Sequence, residues 1–468
     1  MNFITAPTRL ERQPRATTRA RRSLVSYYLA LVVVTVIGIT YGLIFSEIFM
    51  PGDKAPWIET TMTILKIAWL FPLPYALVNV YGLARYPAIP RRPPLQVNLP
   101  TDFRIFFRIV TRGHNPRLIA ETVADARATL EQILPPETWR IEVVSDSYLD
   151  LDADDDQVAL ILVPEDYAPE NGARFKARAL HYTLTASSAD PQDWIVHLDE
   201  ETRFDGATIR SMLAFIHEER ARTRVGDALP HIGQGVIVYG RCQVKNWFTT
   251  LADSVRAADD LGRFRWQFSQ GKAWFGLHGS FIVINNQIEQ FIGFDHGPDA
   301  SITEDSYFAL SAQSLGFGFD FIDAVMYEKS PFSVRDFVKQ RQRWFAGMWL
   351  VALSHNLPVK ERWLLLFFML MWTLSWLCPV MLVVNVIFPT GTPVWLGIPS
   401  GISAIYTVWL YVVGFLFTFS RQQLGWRYFP LLIAQVACVP LFGFLESAAV
   451  ITSVLKPTRG FYIVQKEA

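Results

Sequence analysis

Three carboxylates stand directly after an apolar run near the middle of the chain. Residues 193–202 read Asp-Trp-Ile-Val-His-Leu-Asp-Glu-Glu-Thr. The apolar part predicts a buried strand, and its end would deliver Asp199 and Glu201 to a site. Carboxylates in such a place can hold a divalent cation, which in turn can hold a diphosphate. Read alone, the same segment fits a strand followed by a solvated acidic turn equally well.

Further polar signals precede and follow this segment in a consistent order. Asp146 comes at the end of a predicted strand, and Lys176 lies in a turn, residues 171–180, that leads into a helix. Downstream stand Thr-Glu-Asp at 303–305 and Gln-Arg-Gln-Arg-Trp at 340–344. Each has an ordinary structural explanation, since an Asp after a strand commonly forms a turn and arginines beside a membrane commonly bind headgroups. Their order along one chain favours a shared site.

As an ordered set, these segments resemble the processive-type family 2 glycosyltransferases, the group that contains the cellulose, chitin and hyaluronan synthases. The resemblance covers the predicted catalytic domain and the flanking membrane segments, and it implies a GT-A catalytic fold. It also implies a role for each matching residue: Asp146 for the nucleobase, Lys176 for the donor diphosphate, Asp199 and Glu201 for Mg²⁺ or Mn²⁺, Asp305 as the catalytic base, and Glu304, Gln340, Arg343, Trp344, Gly279 and Ser280 for the diphosphate or the acceptor.

Three segments are closer to one branch, the egghead-like β-1,4-mannosyltransferases. They read Val-Thr-Arg-Gly at 110–113, His-Leu-Asp-Glu-Glu-Thr at 197–202 and Ile-Thr-Glu-Asp-Ser at 302–306. This likeness implies GDP-mannose as the donor, a glycan or glycolipid as the acceptor, and Arg112 as a further nucleotide-binding residue. A UDP-sugar-dependent β-glucan-type polysaccharide synthase is the alternative, and a non-catalytic membrane sensor or channel is a more distant one. The metal motif departs from the family pattern because Glu201 replaces an aspartate.

The chemistry of sugar transfer explains these residue types. The departing diphosphate develops negative charge, which a divalent ion together with Lys176 and Arg343 would stabilise. The acceptor hydroxyl needs a positioned base, and Asp305 is the candidate. With one base and no second carboxylate nucleophile, direct displacement inverts the anomeric centre, so an α-linked donor gives a β-linked product. Trp344 offers an aromatic face for an acceptor sugar. Two histidines are open to a substrate contact or a structural role: His278 and His296.

The composition limits the class of protein. The chain of 468 residues is 51% hydrophobic and 14% aromatic, its mean hydropathy is +0.21, and its net charge is +0. It is too apolar for a simple soluble protein, so we predict one soluble domain with membrane helices. The zero net charge argues against a general affinity for nucleic acid. Cys242, Cys378 and Cys438 are too far apart for a metal motif or a disulfide framework, which fits a reduced cytosolic face.

Alternating strand and helix patterns place the soluble part. We predict strands at 103–110, 139–144 and 158–163, with an amphipathic helix at 116–134. This order indicates an α/β fold with a mostly parallel sheet and helices on its faces. We therefore divide the chain into a basic cytosolic tail (1–23), two transmembrane helices (24–84), a GT-A domain (95–330), interfacial helices with the Gln-x-x-Arg-Trp motif (331–362), C-terminal transmembrane helices (363–455) and a tail (456–468) in which residues 461–466 resemble a gating loop.

Charged residues around the apolar stretches predict the topology. Basic residues flank the outer ends of the first two spans, which puts the catalytic domain in the cytosol of a multi-pass protein of the plasma (inner) membrane. Five full crossings would leave the basic C-terminal tail outside, against the same rule. A re-entrant hairpin broken near Pro440 would avoid this conflict. Glu446, in the last apolar stretch, is either a functional residue or a carboxylate hydrogen-bonded inside the bundle.

Overall fold

The computed structural model describes residues 19–48, 54–86, 99, 102–151, 156–225, 229–241 and 244–456. The N-terminal basic tail up to residue 18, the Pro-rich linker at 87–98 and the gating-loop-like segment at 461–466 lie outside these residues. Within the described part, apolar helices flank an α/β domain on both sides.

The helices follow one another along the chain in three groups. The first group is α1 Arg19–Ile48, α2 Pro56–Lys66 and α3 Leu73–Arg85. The α/β domain carries α4 Pro116–Glu131, α5 Phe175–Ala186, α6 Gly206–Val225, α7 Trp247–Asp253, α8 Val255–Asp259, α9 Arg265–Ser269, α10 Asn286–Ile292 and α11 Glu304–Ser314. The last group is α12 Val334–Leu353, α13 Val359–Ser375, α14 Leu377–Ile387, α15 Val394–Thr418, α16 Arg421–Leu424 and α17 Tyr428–Leu455.

A seven-stranded sheet forms the centre of the α/β domain. Its strands are β1 Ile105–Thr111, β2 Trp139–Ser145, β3 Val158–Leu162, β4 Trp194–Asp199, β5 Ile232–Tyr239, β6 Ile282–Asn285 and β7 Phe319–Glu328. They lie in the order β3-β2-β1-β4-β6-β5-β7, and β6 runs antiparallel to both of its neighbours while the other pairs are parallel. The predicted α/β fold with a mostly parallel sheet is therefore confirmed.

Helices cover both faces of this sheet, which is why its strands read as continuous apolar runs. On one face Ile119 of α4 and Met212 of α6 pack into the strand side chains. On the other face Leu180 of α5 and Phe308 of α11 do the same. The parallel register sets Val110 of β1 beside Asp199 of β4, so the chain segments that follow these strands emerge at one edge of the sheet.

A group of buried charged side chains lies within the sheet, close to its α5 face. Arg108 of β1 donates from Nε to Glu142 of β2 at 2.9 Å and also bonds Glu289 of α10. The second oxygen of Glu289 lies 2.6 Å from Nε2 of His197 in β4. Each of these side chains is at most 4% exposed. The group ties β1, β2, β4 and α10 together beneath the edge that carries Asp199.

Five helical segments of the described chain are long and apolar enough to cross a membrane. They match the five apolar stretches predicted from the sequence: Tyr28–Glu47, Pro56–Arg85, Val359–Ile387, Val394–Thr418 and Arg421–Leu455. Apolar side chains of α1 such as Val32 and Val36 are more than half exposed, as expected for a surface that faces lipid. The length and composition of these helices are therefore those of membrane-spanning segments.

Two pairs of glycines join the first and fourth of these segments. Gly38 and Gly42 of α1 face Gly397 and Gly401 of α15, so each helix contributes a Gly-x-x-x-Gly pair. A Cβ on Gly42 would lie 2.3 Å from the carbonyl oxygen of Gly397, and one on Gly401 would lie 2.4 Å from that of Gly38. The two backbones approach this closely only because side chains are missing, as is usual where membrane helices pack through small residues.

The last apolar stretch is one helix, so of the two possibilities that the sequence left open, the re-entrant hairpin broken near Pro440 is not the one found. Pro440 lies inside α17, which continues from Tyr428 to Leu455. Proline removes one backbone hydrogen bond from a helix, but apolar membrane helices tolerate this because neighbouring groups satisfy the freed carbonyl.

Both ends of α17 lie beside elements that adjoin the catalytic domain. At its start, Arg241, just after β5, donates to the carbonyl of Thr418 at the end of α15, and the short segment 419–427 joins this point to α17. At its end, the carbonyl of Lys456 accepts from Nε2 of Gln342 in α12 at 3.3 Å. The described end of α17, at Lys456, therefore lies beside α12.

Candidate active site

A cavity of about 900 Å³ opens at the carboxyl ends of β1, β2 and β4 and extends between the apolar helices. Ligands of open α/β sheets bind at this edge. All the residues that we predicted for the site line this one cavity: Arg112, Asp146, Lys176, Asp199, Glu201, Gly279, Ser280, Glu304, Asp305, Gln340, Arg343 and Trp344. Residues from seven separate parts of the sequence are thus brought together.

The carboxylates that follow β4 take different positions. Asp199 is partly open to the cavity, with a side chain 38% exposed, and its Oδ1 lies 2.5 Å from Nζ of Lys176. Glu200 also lines the cavity, but its oxygens accept from Thr111 at 2.6 Å and Asn115 at 2.7 Å, so it fixes the end of β1. Glu201 is 4% exposed and lines the cavity. Asp199 and Glu201 supply the hard oxygen ligands that Mg²⁺ and Mn²⁺ prefer, so these residues fit such an ion.

Glu304 and Asp305 occupy the first turn of α11, where the helix dipole favours negative charge. Ser306 donates its backbone N–H to Oδ1 of Asp305 at 2.7 Å. The turn that contains Gly279 lies next to this pair, and the Gly279 carbonyl accepts a hydrogen bond from Lys176 at 2.8 Å. A Cβ on Gly279 would lie 3.2 Å from Nζ of Lys176 and 3.3 Å from Oδ2 of Asp305. Glycine at this position therefore keeps the space between the predicted base and the lysine open.

The residues predicted to bind the nucleotide, Asp146 and Arg112, also line the cavity. Asp146 directly follows β2, and its Oδ1 accepts from Arg178 of α5 at 2.9 Å. The Arg112 guanidinium lies over the Phe175 ring, 5.3 Å from its centroid. Phe175 has φ +54°, which is rare for a residue other than glycine and marks a constrained turn just before Lys176. This turn holds Lys176 and Arg112 toward the cavity.

Helix α12 brings its Gln-x-x-Arg-Trp motif to the same cavity. Gln340 is buried and accepts from Arg341 at 3.0 Å. Burial lowers the pKa of Arg343, and the nearby Glu304 opposes this effect. The Trp344 ring is in contact with two guanidinium groups, that of Arg341 at 4.3 Å and that of Arg256 at 4.4 Å. A sugar that reaches this ring would therefore meet cationic hydrogen-bond donors together with the aromatic surface.

Comparison with known proteins now bears on this site. The family described as Glycosyl transferase family group 2 matches residues 194–451. The chain is 34% identical to Beta-1,4-mannosyltransferase egh of Drosophila melanogaster over 441 residues, which cover 90% of this chain and 94% of that protein. It belongs to this glycosyltransferase family. Beta-1,4-mannosyltransferase bre-3 of Caenorhabditis elegans is 33% identical over 409 residues, covering 86% of this chain and 88% of that protein.

Among solved structures, this glycosyltransferase is similar to mannosyltransferase PcManGT from Pyrobaculum calidifontis, solved with GDP-Man and Mn²⁺. The TM-score is 0.48 and the sequence identity 15%, over 86% of this chain and 99% of that chain. The family membership makes this chain an enzyme, and it confirms the resemblance on which the residue roles were predicted. The role of each individual residue stays a prediction.

The buried carboxyl pair predicts how this glycosyltransferase responds to pH. Burial and the adjacent Asp305 raise the pKa of Glu304 to about 7, and burial also raises the pKa of Asp305. A base must be ionised, so we expect kcat/KM to rise with pH as the pair loses its proton. Glu304→Gln should shift this rise to lower pH, because it removes the group of the pair whose pKa is about 7 and leaves Asp305 to titrate alone.

A pH profile of kcat/KM for the wild type and the Glu304→Gln variant measures this shift. Glu170→Gln, the same chemical change on an exposed side chain remote from the cavity, is the matched control and should leave the profile unchanged. An unshifted profile in the Glu304→Gln glycosyltransferase would mean that the two carboxyl groups titrate independently.

Several side chains at the site were missed by the sequence analysis. Glu328, at the end of β7, accepts from Thr202 at 3.0 Å and from Ser280 at 2.5 Å, so it links the metal motif to the predicted acceptor turn. Asp260 lies 2.5 Å from Nε2 of His278, on a π-helical turn. A strand-end carboxylate is the same signal that identified Asp146, and it could have identified Glu328 had β7 been predicted.

The two histidines that were left open take different places. His278 lines the cavity, and Gln234 fixes its backbone by accepting from its N–H at 3.1 Å. His296 is not among the cavity-lining residues. Its Nε2 lies 3.1 Å from the Gly293 carbonyl, and its ring stacks on Tyr307 with centroids 4.9 Å apart. The structural role is therefore the one that fits His296.

A second cluster of possible metal ligands lies at the opposite edge of the sheet. Glu219, His231 and Asp320 approach one another near the starts of β5 and β7. Arg222 bonds Glu219, and its Nη1 lies 2.5 Å from Nε2 of His231. Because a guanidinium already holds two of the three groups, this cluster is better explained as an ion-pair network than as a metal site.

Proposed function

We propose that this glycosyltransferase transfers mannose from GDP-mannose to a hydroxyl group of a membrane-associated glycan or glycolipid, with inversion, to give a β-1,4 linkage. The observation that carries the proposal is the convergence of Lys176, Asp199, Asp305 and Arg343 on one cavity. The choice of mannose rests on the relatives, which are named β-1,4-mannosyltransferases and match over most of both chains.

The proposed roles follow from charge and position. Asp305 would take the proton from the acceptor hydroxyl as it attacks the anomeric carbon. Lys176 and Arg343 would hold the departing diphosphate by charge-assisted hydrogen bonds. Asp199 and Glu201 would hold Mg²⁺ or Mn²⁺, which supplies further neutralisation of the diphosphate charge. Lys176 Nζ lies 2.5 Å from Asp199 Oδ1, so this lysine would stand beside both the ion and the diphosphate.

The shape of the cavity supports an acceptor with an aliphatic part. Beyond the catalytic residues, the cavity continues between the membrane helices. Its lining there is largely apolar and includes Met369, Trp372, Leu382, Val408 and Val439. An aliphatic chain fits such a lining by the hydrophobic effect, whereas a passing polysaccharide needs a succession of hydrogen-bonding groups. We therefore favour a glycolipid acceptor over a growing polymer.

The basic residues near the chain ends suggest an orientation in the membrane. We propose that the catalytic domain faces the cytosol, on the side where the basic N-terminal tail is retained. The described end of α17 at Lys456 would lie near that side as well, because its carbonyl accepts from Gln342 of α12.

Nucleotide release in reconstituted membranes tests the proposal. The purified protein is placed in nanodiscs with a lipid extract as acceptor source, and GDP or UDP is measured after addition of GDP-mannose or UDP-glucose with Mg²⁺ or Mn²⁺. We expect GDP from GDP-mannose only, and loss of this activity with EDTA. Release of UDP from UDP-glucose alone would replace mannose by glucose and favour the β-glucan-type synthase. Binding of the donor without release would favour a sensor.

A further inference from the structure

Glu446 is a carboxylate on an otherwise apolar helix, and the proposed chemistry gives it no task. Its neighbours on α17 that line the cavity, such as Val436 and Val439, are apolar. Its partner Arg341 belongs to α12, the helix that also carries Arg343 into the polar part of the cavity. Glu446 therefore stands where the catalytic and the apolar parts of the cavity meet.

Arg341 is held between two carboxylates that differ in exposure. It bonds Asp253 of α7, and its Nε lies 2.9 Å from Oε1 of Glu446. The side chain of Asp253 is 0% exposed, whereas that of Glu446 is 32% exposed and lines the cavity. Among the residues that the structure describes, none donates a hydrogen bond to the second oxygen of Glu446. This oxygen can therefore accept a hydrogen bond from a ligand.

Arg256 places a cation next to this carboxylate. Its guanidinium lies 4.4 Å from the ring centroids of both Tyr239 and Trp344, and the residue lines the cavity. Within the described ranges, no carboxylate or carbonyl oxygen accepts a hydrogen bond from it. Two aromatic rings thus orient a group with several free N–H donors, which is a pre-formed hydrogen-bonding site.

We propose that Glu446 and Arg256 form a subsite for an uncharged, hydroxyl-bearing headgroup of the acceptor, where the catalytic and apolar parts of the cavity meet. A hydroxyl group can donate to Glu446 and accept from Arg256, and the Trp344 ring beside Arg256 adds apolar surface. An uncharged hydroxyl-bearing headgroup uses both groups, whereas an anionic headgroup would pair with Arg256 alone and would be repelled by Glu446. The inference deepens the proposed function and rests on it for the identity of the reaction.

Ligand binding in nanodiscs tests the subsite without requiring turnover. The probes are octyl β-D-glucoside, which is uncharged, and octyl phosphate, which is anionic with the same chain. Calorimetry measures their Kd for the full-length protein in phosphatidylcholine nanodiscs, with empty nanodiscs subtracted. We expect the glucoside to bind more tightly than the phosphate. Glu446→Gln and Arg256→Met should each weaken glucoside binding about tenfold, the usual effect of losing one charge-assisted hydrogen bond.

Asp253→Asn is the matched control, because it removes the other carboxylate from Arg341 without touching the cavity. It should lower Tm and leave the glucoside Kd unchanged. A wild-type Kd in both the Glu446→Gln and Arg256→Met proteins, tighter binding of the phosphate, or no binding of the glucoside to the wild type would each overturn the proposal. Glucoside binding in a protein that releases no GDP from GDP-mannose would refute the proposed function and leave the subsite intact.

Discussion

Replacement of Asp305 by asparagine is expected to lower sugar transfer by about 10²- to 10⁴-fold, the usual contribution of a positioned base. Asparagine has nearly the same shape, and its oxygen can still accept the Ser306 N–H that now lies 2.7 Å from Oδ1. It cannot take a proton from the acceptor hydroxyl. GDP-mannose binding should therefore persist while turnover is lost, because Lys176 and Arg343 remain in place to hold the diphosphate.

Two measurements separate this loss from misfolding: single-turnover transfer and donor binding to the same preparation. Asp299→Asn introduces the same chemical change on an exposed loop near α11, outside the cavity, and serves as the control. Transfer in the Asp305→Asn protein that stays within about tenfold of wild type would be less than a base contributes. Glu304, the other carboxyl group of the pair, would then become the candidate base.

Arg108→Leu should lower the free energy of unfolding by about 3–5 kcal/mol, the usual cost of removing one partner from a buried ion pair. Leucine fits among the apolar side chains of β1, but it leaves Glu142 and Glu289 buried without their shared cation. Both carboxylates are at most 1% exposed, so water cannot replace the guanidinium. Activity should fall only as far as the folded fraction falls, since Arg108 does not line the cavity.

Chemical unfolding of the protein in detergent micelles, followed by Trp fluorescence, measures this change. Arg117→Leu is the matched control, because Arg117 pairs with Glu121 at 3.2 Å on the exposed face of α4, with side chains 86% and 48% exposed. An exposed pair of this kind contributes at most about 1 kcal/mol. If both substitutions cost the same, the buried group does not stabilise the sheet. Restored stability on adding Glu142→Gln and Glu289→Gln to Arg108→Leu would instead identify the uncompensated charge as the cause.

The sequence could predict the parts of this molecule whose structure follows from the local order of apolar and polar residues. The apolar run before Asp199 predicts a strand, because a strand that is covered on both faces needs apolar side chains at consecutive positions. The carboxylates that end this run lie at the edge of the sheet where ligands bind. Arg256, which lines the cavity, and Asp260, which bonds the cavity-lining His278, had no such signal, because the packing of α8 and of the π-helical turn after it places them there. Pro440 left two possibilities open, because a proline in an apolar stretch is compatible both with a break and with a continuous membrane helix.

The glycine pairs that join α1 to α15 have a consequence for how the protein is made. Translation delivers α1 to the membrane long before residues 394–418 leave the ribosome, and the entire α/β domain is synthesised in between. During that interval the glycine surface of α1 is not packed against α15. It must therefore be covered by lipid or by an insertion factor until α15 is synthesised. The packing of α1 against α15 is thus a late step in the biogenesis of this enzyme, although α1 is made first.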